Sequence, residues 1–379
     1  MEITEIRQQI DAVDRDLLAL FLRRMELAKE IGICKQQADL PVYNPARERE
    51  ILAQVTENSP EGLDGYARAL FTTLFELSRS YQGNNLPHNQ KLRHLLQQAI
   101  ESAPTAFPAK AVVACQGVEG AYSQQAADKA FSFADILYFK NFNGVFSAVE
   151  KGLCRYGVLP IENSSHGSVN AVYDLMRDHS FYIVHGVKLH ISHNLLARPG
   201  AKLSGIKEIV SHEQAIGQCS LFLDTLPEVK ITCCENTAVA AQIVAASNRD
   251  DLAAISSADC AAMYGLDILK ERIHNNNNNY TRFIIIAKKP EIYPGANKIS
   301  ILFTTDNTPG ALTRVMSRFS SLGVNLSKLE SRPVEGTDFH YVFYADLEGS
   351  VYNESIQALL SQLANELELF VFLGAYSEV

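Results

Sequence analysis

A chain of 379 residues, 47% hydrophobic and 20% charged, is long enough for two or three domains that each bury a core. Its net charge of −9 and pI near 5.6 argue against nonspecific nucleic-acid binding, although cations can still gather inside a pocket for an anion. Residues 1–5 lack the basic and then apolar pattern of a leader, and no apolar run approaches the roughly 20 residues of a membrane span. A cytoplasmic protein with no membrane or nucleic-acid partner is expected. The seven cysteines are odd in number, with no Cys-x-x-Cys, and His190-x-x-His193 has no Cys, Asp or Glu at ligand spacing. Neither a disulfide framework nor a metal site is expected.

In chain order, Ile3, Ile6, Ile10, Val13, Leu17, Leu20, Leu27 and Ile31 recur every three or four residues before the first glycine, Gly32, which predicts one amphipathic helix over residues 2–37. Such a helix is roughly 50 Å long, more than a small domain covers, so a partner chain is implied. A break at Asp39-Leu40-Pro41 precedes a short helix from Pro45 to Val55 and a third from Gly65 to Gln82, stopped by Gly83. Residues 1–82 therefore read as an all-α domain. Residues 83–108, with Asn84, Asn85, Pro87, Pro104 and Pro108, read as a linker carrying a short helix from Lys91 to Ile100. Residues 109–290 alternate short apolar strands (Ala111–Cys115, Tyr156–Ile161, Glu208–Val210, Leu252–Ile255, Phe283–Ala287) with helical patterns, which predicts an α/β domain. Residues 297–379 give the order βαββαβ of a ferredoxin-like α+β sandwich.

Within the first helix, Arg24, Ala28, Ile31 and Lys35 are spaced to share one face. That face continues the apolar stripe of Leu17 and Leu20, so two cations point inward and need an anion. Arg7 lies roughly 100° round the helix from Arg24 and faces elsewhere, into a partner subunit. Arg47, Glu48 and the i, i+4 pair Ser78 and Gln82 could complete a polar cavity. On these residues the segment resembles the intertwined-dimer chorismate mutases of the all-helical class. The resemblance implies a pericyclic rearrangement with no cofactor, in which a dianionic substrate is clamped folded and charge on the breaking ether oxygen is stabilised. It implies that Arg24 and the partner's copy of the Arg7 position bind carboxylates, that Lys35 and Gln82 face the ether oxygen, and that Glu48 holds the hydroxyl. The family often has Asp where this chain has Asn44, from which altered binding rather than lost activity is expected.

In the α/β segment, Gly117 to Ser123 places a glycine turn and a serine at a helix start, where free N–H groups attract anions. The run Pro160-Ile161-Glu162-Asn163-Ser164-Ser165-His166-Gly167-Ser168 again ends a strand with hydroxyls and backbone donors. Further on, Asn275 to Asn279 lead into Tyr280-Thr281-Arg282-Phe283 and an apolar strand. Together with Ser211-His212-Glu213-Gln214 and Glu235-Asn236-Thr237, these runs resemble prephenate dehydratase over about residues 110–288. The resemblance implies two lobes like those of periplasmic binding proteins with a cleft between them, and loss of carbon dioxide and hydroxide from prephenate to give phenylpyruvate. By it, Thr281 handles the proton of the leaving hydroxyl, while Ser123, Asn163, Ser164, Ser165, Thr237, Arg282 and Phe283 line the substrate site.

Finally, Asp306-Asn307-Thr308-Pro309-Gly310-Ala311-Leu312 leaves backbone N–H groups reachable at a helix start, and Glu330-Ser331 lies toward the end of the following strand. These runs resemble the ACT regulatory domain of phenylalanine-inhibited dehydratases. The resemblance implies phenylalanine bound between subunits by Asn307, Gly310, Ala311, Leu312, Glu330 and Ser331, acting through a difference in affinity between two states. The whole reads as a bifunctional enzyme of phenylalanine biosynthesis, a homodimer or larger. Two alternatives stay open at this level: a dehydratase whose helical segment only dimerises, and a non-catalytic ligand sensor.

Overall fold

The computed structural model describes residues 2–38, 40, 43–83, 90–334 and 341–379. Asp39 and Pro41 of the expected break, and Asn84, Asn85 and Pro87 of the expected linker, lie outside the described residues. The chain divides into two compact units, residues 1–97 with 301–371, and residues 98–300 with 372–379.

The first unit opens with α1 (Ile3–Gln37), started by a reciprocal capping box between Glu2 and Glu5. Asn44 caps α2 (Pro45–Glu57) by accepting from the Arg47 N–H, and Pro45 takes the first helical position. The third helix is α3 (Asp64–Gly83) and the fourth α4 (Gln90–Ser102). Helices α1 and α3 pack where Ala28 and Gly32 are buried. A Cβ at Gly32 would stand 3.1 Å from Gln82 Cγ, so the glycine permits this close approach. Ile31, expected on the covered face, is 51% exposed. The contact stripe passes through Gly32 instead, one position further round the helix. Ile3, Ile10, Val13, Leu17 and Leu20 are also exposed, so the apolar stripe of α1 has no cover among the described residues.

In the second unit the α/β region forms two sheets. The first is built from β1 (Lys110–Gln116), α5 (Tyr122–Ala130), β2 (Phe133–Phe139), α6 (Phe142–Glu150), β3 (Tyr156–Asn163), β4 (Gly167–Ser168), α7 (Asn170–Asp178) and β5 (Tyr182–His190). The second is built from β6 (Asn194–Ala197), β7 (Glu208–Ser211), α8 (Glu213–Gln218), α9 (Ser220–Leu223), β8 (Lys230–Cys233), α10 (Thr237–Ala246), β9 (Leu252–Ser256), α11 (Ala258–Tyr264) and β10 (Asp267–Lys270). The chain then returns to the first sheet as β11 (Tyr280–Ala287). Strand orders are β2-β1-β3-β11-β5, with β4 on β3, and β10-β6-β9-β7-β8. Strand β11 runs antiparallel to both of its neighbours. The chain thus crosses between lobes twice, at residues 191–193 and through the asparagine run before β11. Each lobe has its own core, around Val113, Tyr156, Phe283 and Ile285 in the first, and around Ile209, Ala253 and Ala241 in the second.

The remaining elements are β12 (Lys298–Thr304), α12 (Ala311–Ser321), β13 (Asn325–Pro333), β14 (Tyr341–Glu348), α13 (Glu354–Glu366) and β15 (Phe370–Tyr376), in sheet order β13-β14-β12-β15. Helices α12 and α13 pack on each other and on α3. At the end of β15, a Cβ on Gly374 would fall 2.0 Å from the carbonyl oxygen of Ile183, so only glycine fits against β5 there. Residues 377–379 then lie along β5: Gly186 N donates to Ser377 O (2.9 Å), Lys188 N to Val379 O (2.7 Å), and Val379 N to Gly186 O (3.0 Å).

Candidate active sites

In the helical unit, α1, α2 and α3 bring Arg24, Lys35, Glu48, Ser78 and Gln82 together. Arg24 donates to the Leu74 carbonyl at 3.0 Å and to Ser78 Oγ, and its guanidinium lies 5.7 Å from the Phe75 ring centre. Ser78 and Gln82 are buried on α3. Burial lowers the pKa values of both Arg24 and Lys35, and the Glu48 carboxylate partly offsets this. Two partly dehydrated cations beside one carboxylate leave net positive charge, which suits a dianion. Gln82 Oε1 is buried without a hydrogen-bond partner among the described residues.

Two expected members stand outside this cluster. Arg47 is exposed and pairs with Glu50 at 2.6 Å, one turn along its own helix. Arg7 is exposed on α1. Asn44 serves as the α2 cap, where its side-chain oxygen accepts as an aspartate oxygen would. One residue that spacing did not single out belongs here. Arg79 is buried, bonds Glu48, and stacks on Tyr43 at 5.1 Å. Its signal was its place between Ser78 and Gln82, a cation on a helix otherwise turned inward. Glu76, one turn back, is also buried, and desolvation raises its carboxyl pKa against the pull of Arg79, Arg318 and Arg314.

In the α/β unit, a chain of amide, hydroxyl and imidazole groups spans both lobes. Asn163, at the end of β3, accepts on Oδ1 from the backbone N–H of Ser165 (2.9 Å) and His166 (3.0 Å). Its Nδ2 donates to Thr281 Oγ1 (2.9 Å) and Asn279 Oδ1 (2.8 Å). Asn279 Nδ2 donates to Gln218 Oε1 (2.9 Å), which His193 Nε2 also approaches at 2.7 Å. Gln218 Nε2 meets His166 Nδ1 at 3.0 Å. Both Thr281 and Asn279 are buried. Burial holds His193 down at about 4, so the ring is neutral. Of the two histidines of the His190-x-x-His193 pattern, His193 belongs to this chain and His190 meets the Asn277 carbonyl at 3.0 Å.

Five of the expected site residues make other contacts. Arg282, one residue from Thr281, is committed elsewhere: its Nε donates to Glu378 (2.6 Å) and a terminal nitrogen donates to Tyr376 Oη (2.8 Å). Successive strand residues point to opposite faces, which separates the two side chains. Phe283 is 2% exposed and packs in the first lobe's core with Val113 and Tyr156. Ser164 ties down the start of β11, donating to the Asn278 carbonyl (2.7 Å) and accepting from Tyr280 N (2.9 Å). Ser123 is buried in the first turn of α5, and Thr237 opens α10 beneath its cap Asn236. The Thr281 chain of bonds passes through neither. The turn at Gly117 does come beside that cap, with a built Cβ 3.6 Å from Asn236 Nδ2. Gln218, Asn279, His166 and His193 complete the network and were not foreseen as site residues. Asn275, at the other end of the asparagine run, fastens the second lobe by donating its backbone N–H to Gln218 O (2.7 Å) and accepting from Leu221 N (3.1 Å).

A cation-lined helical pocket and a hydroxyl–amide network at a two-lobe junction define a chain with two separate sites for small polar substrates. Residues 6–83 match the chorismate mutase type II family and residues 113–291 match the prephenate dehydratase family. The bifunctional chorismate mutase/prephenate dehydratase of Aquifex aeolicus is 33% identical over 377 residues, covering 99% of this chain and 98% of the relative. That of Escherichia coli K12 is 33% identical over 381 residues, covering 98% and 95%. Among solved structures, a prephenate dehydratase from Arthrobacter aurescens in complex with L-Phe superposes with a TM-score of 0.63 at 31% identity, covering 70% of this chain and 90% of that one. The chain belongs to the bifunctional chorismate mutase/prephenate dehydratase family.

Proposed function

We propose that the two sites act in sequence, the helical pocket rearranging chorismate to prephenate and the two-lobe junction converting prephenate to phenylpyruvate, carbon dioxide and water. In the first step, Arg24 holds a substrate carboxylate and Lys35, with Gln82, faces the ether oxygen as its C–O bond breaks. Glu48, ion-paired with Arg79, accepts from the substrate hydroxyl. These cations stabilise charge that grows toward the transition state, and little solvent has to reorganise around groups already dehydrated. Arg7 reaches the same pocket from a second copy, whose α1 covers the exposed Ile3–Leu20 stripe. The working molecule is thus at least a homodimer in the cytoplasm.

In the second step, Thr281 donates its proton to the departing hydroxyl while the ring carboxylate leaves as carbon dioxide, and solvent restores the proton. The observation that carries this is the 2.9 Å bond from Asn163 Nδ2 to Thr281 Oγ1. With that lone pair occupied by a donor, the Thr281 O–H is directed outward as a donor itself. Threonine is a weak acid, so placement and the gain of aromaticity supply most of the rate. Residues 297–379 form an ACT domain of ferredoxin-like topology. It binds phenylalanine at Asn307, Gly310, Ala311, Leu312, Glu330 and Ser331 and lowers dehydratase output. Gly310 supports this reading, with its left-handed φ of +79° opening α12. A coupled assay of chorismate loss and phenylpyruvate formation, with and without phenylalanine, tests all three parts. Loss of chorismate without phenylpyruvate would overturn the second step, and rates indifferent to phenylalanine would overturn the third.

A further inference from the structure

The amide network has a direction, and two backbone groups set it. The N–H groups of Ser165 and His166 can only donate, so the atom of Asn163 they meet is the carbonyl oxygen. Asn163 Nδ2 must then face Thr281 Oγ1 and Asn279, which puts the Asn279 oxygen toward Asn163 and its nitrogen toward Gln218. Gln218 in turn presents its oxygen to Asn279 and its nitrogen to the ring of His166. Reversing any one amide places donor against donor or acceptor against acceptor at the next link. The series ends on His166 Nδ1, which must accept.

We infer that His166 is a positioning residue for dehydration: its unprotonated Nδ1 accepts from Gln218 Nε2 and so holds the second lobe's end of the network against Asn279, beside Asn163 and Thr281. His166 sits on the β3–β4 turn of the first lobe and Gln218 ends α8 in the second, so this bond also joins the lobes. Without an acceptor at this position, the Gln218 amide is held only through its oxygen, by Asn279 Nδ2 and the His193 ring. A Gln218 released at its nitrogen end would loosen its hold on Asn279, while Asn163 stays fixed by its two backbone donors, so the second lobe would seat less firmly beside Thr281. The inference rests on Thr281 being the proton donor.

The test compares His166→Leu, which removes the acceptor but keeps bulk, with His166→Asn, whose Oδ1 replaces Nδ1 as acceptor. Dehydratase kcat is expected to fall about tenfold in His166→Leu, with KM within about twofold, and to recover to within about threefold of the native rate in His166→Asn. Chorismate mutase activity, measured on the same samples, is expected to be unchanged and reports intact protein. Native kcat in His166→Leu, or equal losses in the two variants, would overturn the inference. Nitrogen NMR of the native protein gives an independent reading, with Nε2 protonated and Nδ1 bare expected for His166 and the opposite tautomer overturning it. If Thr281→Val keeps native dehydratase activity, the assignment of Thr281 fails instead, while the tautomer result still decides whether His166 orients Gln218.

Discussion

The two sites solve opposite electrostatic problems, and their construction differs accordingly. The helical pocket is charged: Arg24, Lys35 and Arg79 surround Glu48, and burial depresses the pKa values of the first two. The lobe junction around Thr281 is built of amides, a hydroxyl and imidazoles, of which His193 is held neutral by burial, and Arg282, the nearest cation in sequence, is taken up by Glu378. A pericyclic rearrangement has no proton to move, so its catalyst must match charge. Expulsion of a hydroxyl needs a proton delivered from one side, and uncharged hydrogen bonds can carry that polarity without trapping the proton. On the proposed assignment, charge is the working feature in one site and orientation in the other.

The comparison breaks most sharply at Thr281. Thr281→Val keeps shape and removes the donor, so dehydratase kcat should fall about 10³-fold with mutase turnover intact. Parallel steady-state assays check this, and a loss shared by both activities would show that the sites are not independent. Lys35→Ala should give the mirror result, a mutase kcat lower by about 10²-fold with dehydratase spared. A smaller effect concerns stability. His193 titrates near 6.5 when unfolded and at about 4 when folded. Between those values the unfolded chain binds a proton that the folded chain refuses, so stability is full above about pH 6.5 and declines as pH falls toward 4. The loss should reach roughly 2 to 3 kcal/mol, read by urea titration across that range and absent in a folded His193→Gln protein. Last, Gly32→Ala adds a methyl against Gln82 and should lower mutase kcat about tenfold by moving that amide, leaving dehydratase kinetics as a control.

The helical region was legible because its information is periodic. Spacing alone puts Arg24, Lys35, Ser78 and Gln82 on inward faces, and helix ends fell at Asn44–Pro45 and Gly83. Its errors were errors of phase and partner: Ile31 gave way to Gly32, and Arg79 was overlooked because a single cation beside a known pair carries no period. In the α/β region the expected residues Asn163 and Thr281 do meet across β3 and β11, but Gln218 and His193 carried no sequence signal for this site. Strands β2, β5, β6, β8 and β10 escaped notice; β6, β8 and β10 have only four residues each, too few to show alternation. Gln218 sits 55 residues from Asn163 and 63 from Thr281 in the numbering, and nothing short of the pairing of β3 with β11 brings them together. Strand alternation could have warned that Thr281 and Arg282 diverge. The resemblance implied Phe283 as a substrate contact, whereas its burial packs it into the first lobe's core.

Residues 377–379 have a consequence for behaviour in solution. Strand β5 is the last in its sheet, and its outer N–H and C=O groups would otherwise be open to any passing strand. Ser377 and Val379 satisfy three of them from within the same molecule, and Gly374 lets the chain come close enough to do so. A bulky residue at position 374 would peel this cover away and leave a sticky margin. The resulting protein would be expected to clump on concentration while each catalytic centre, taken alone, still had all its groups.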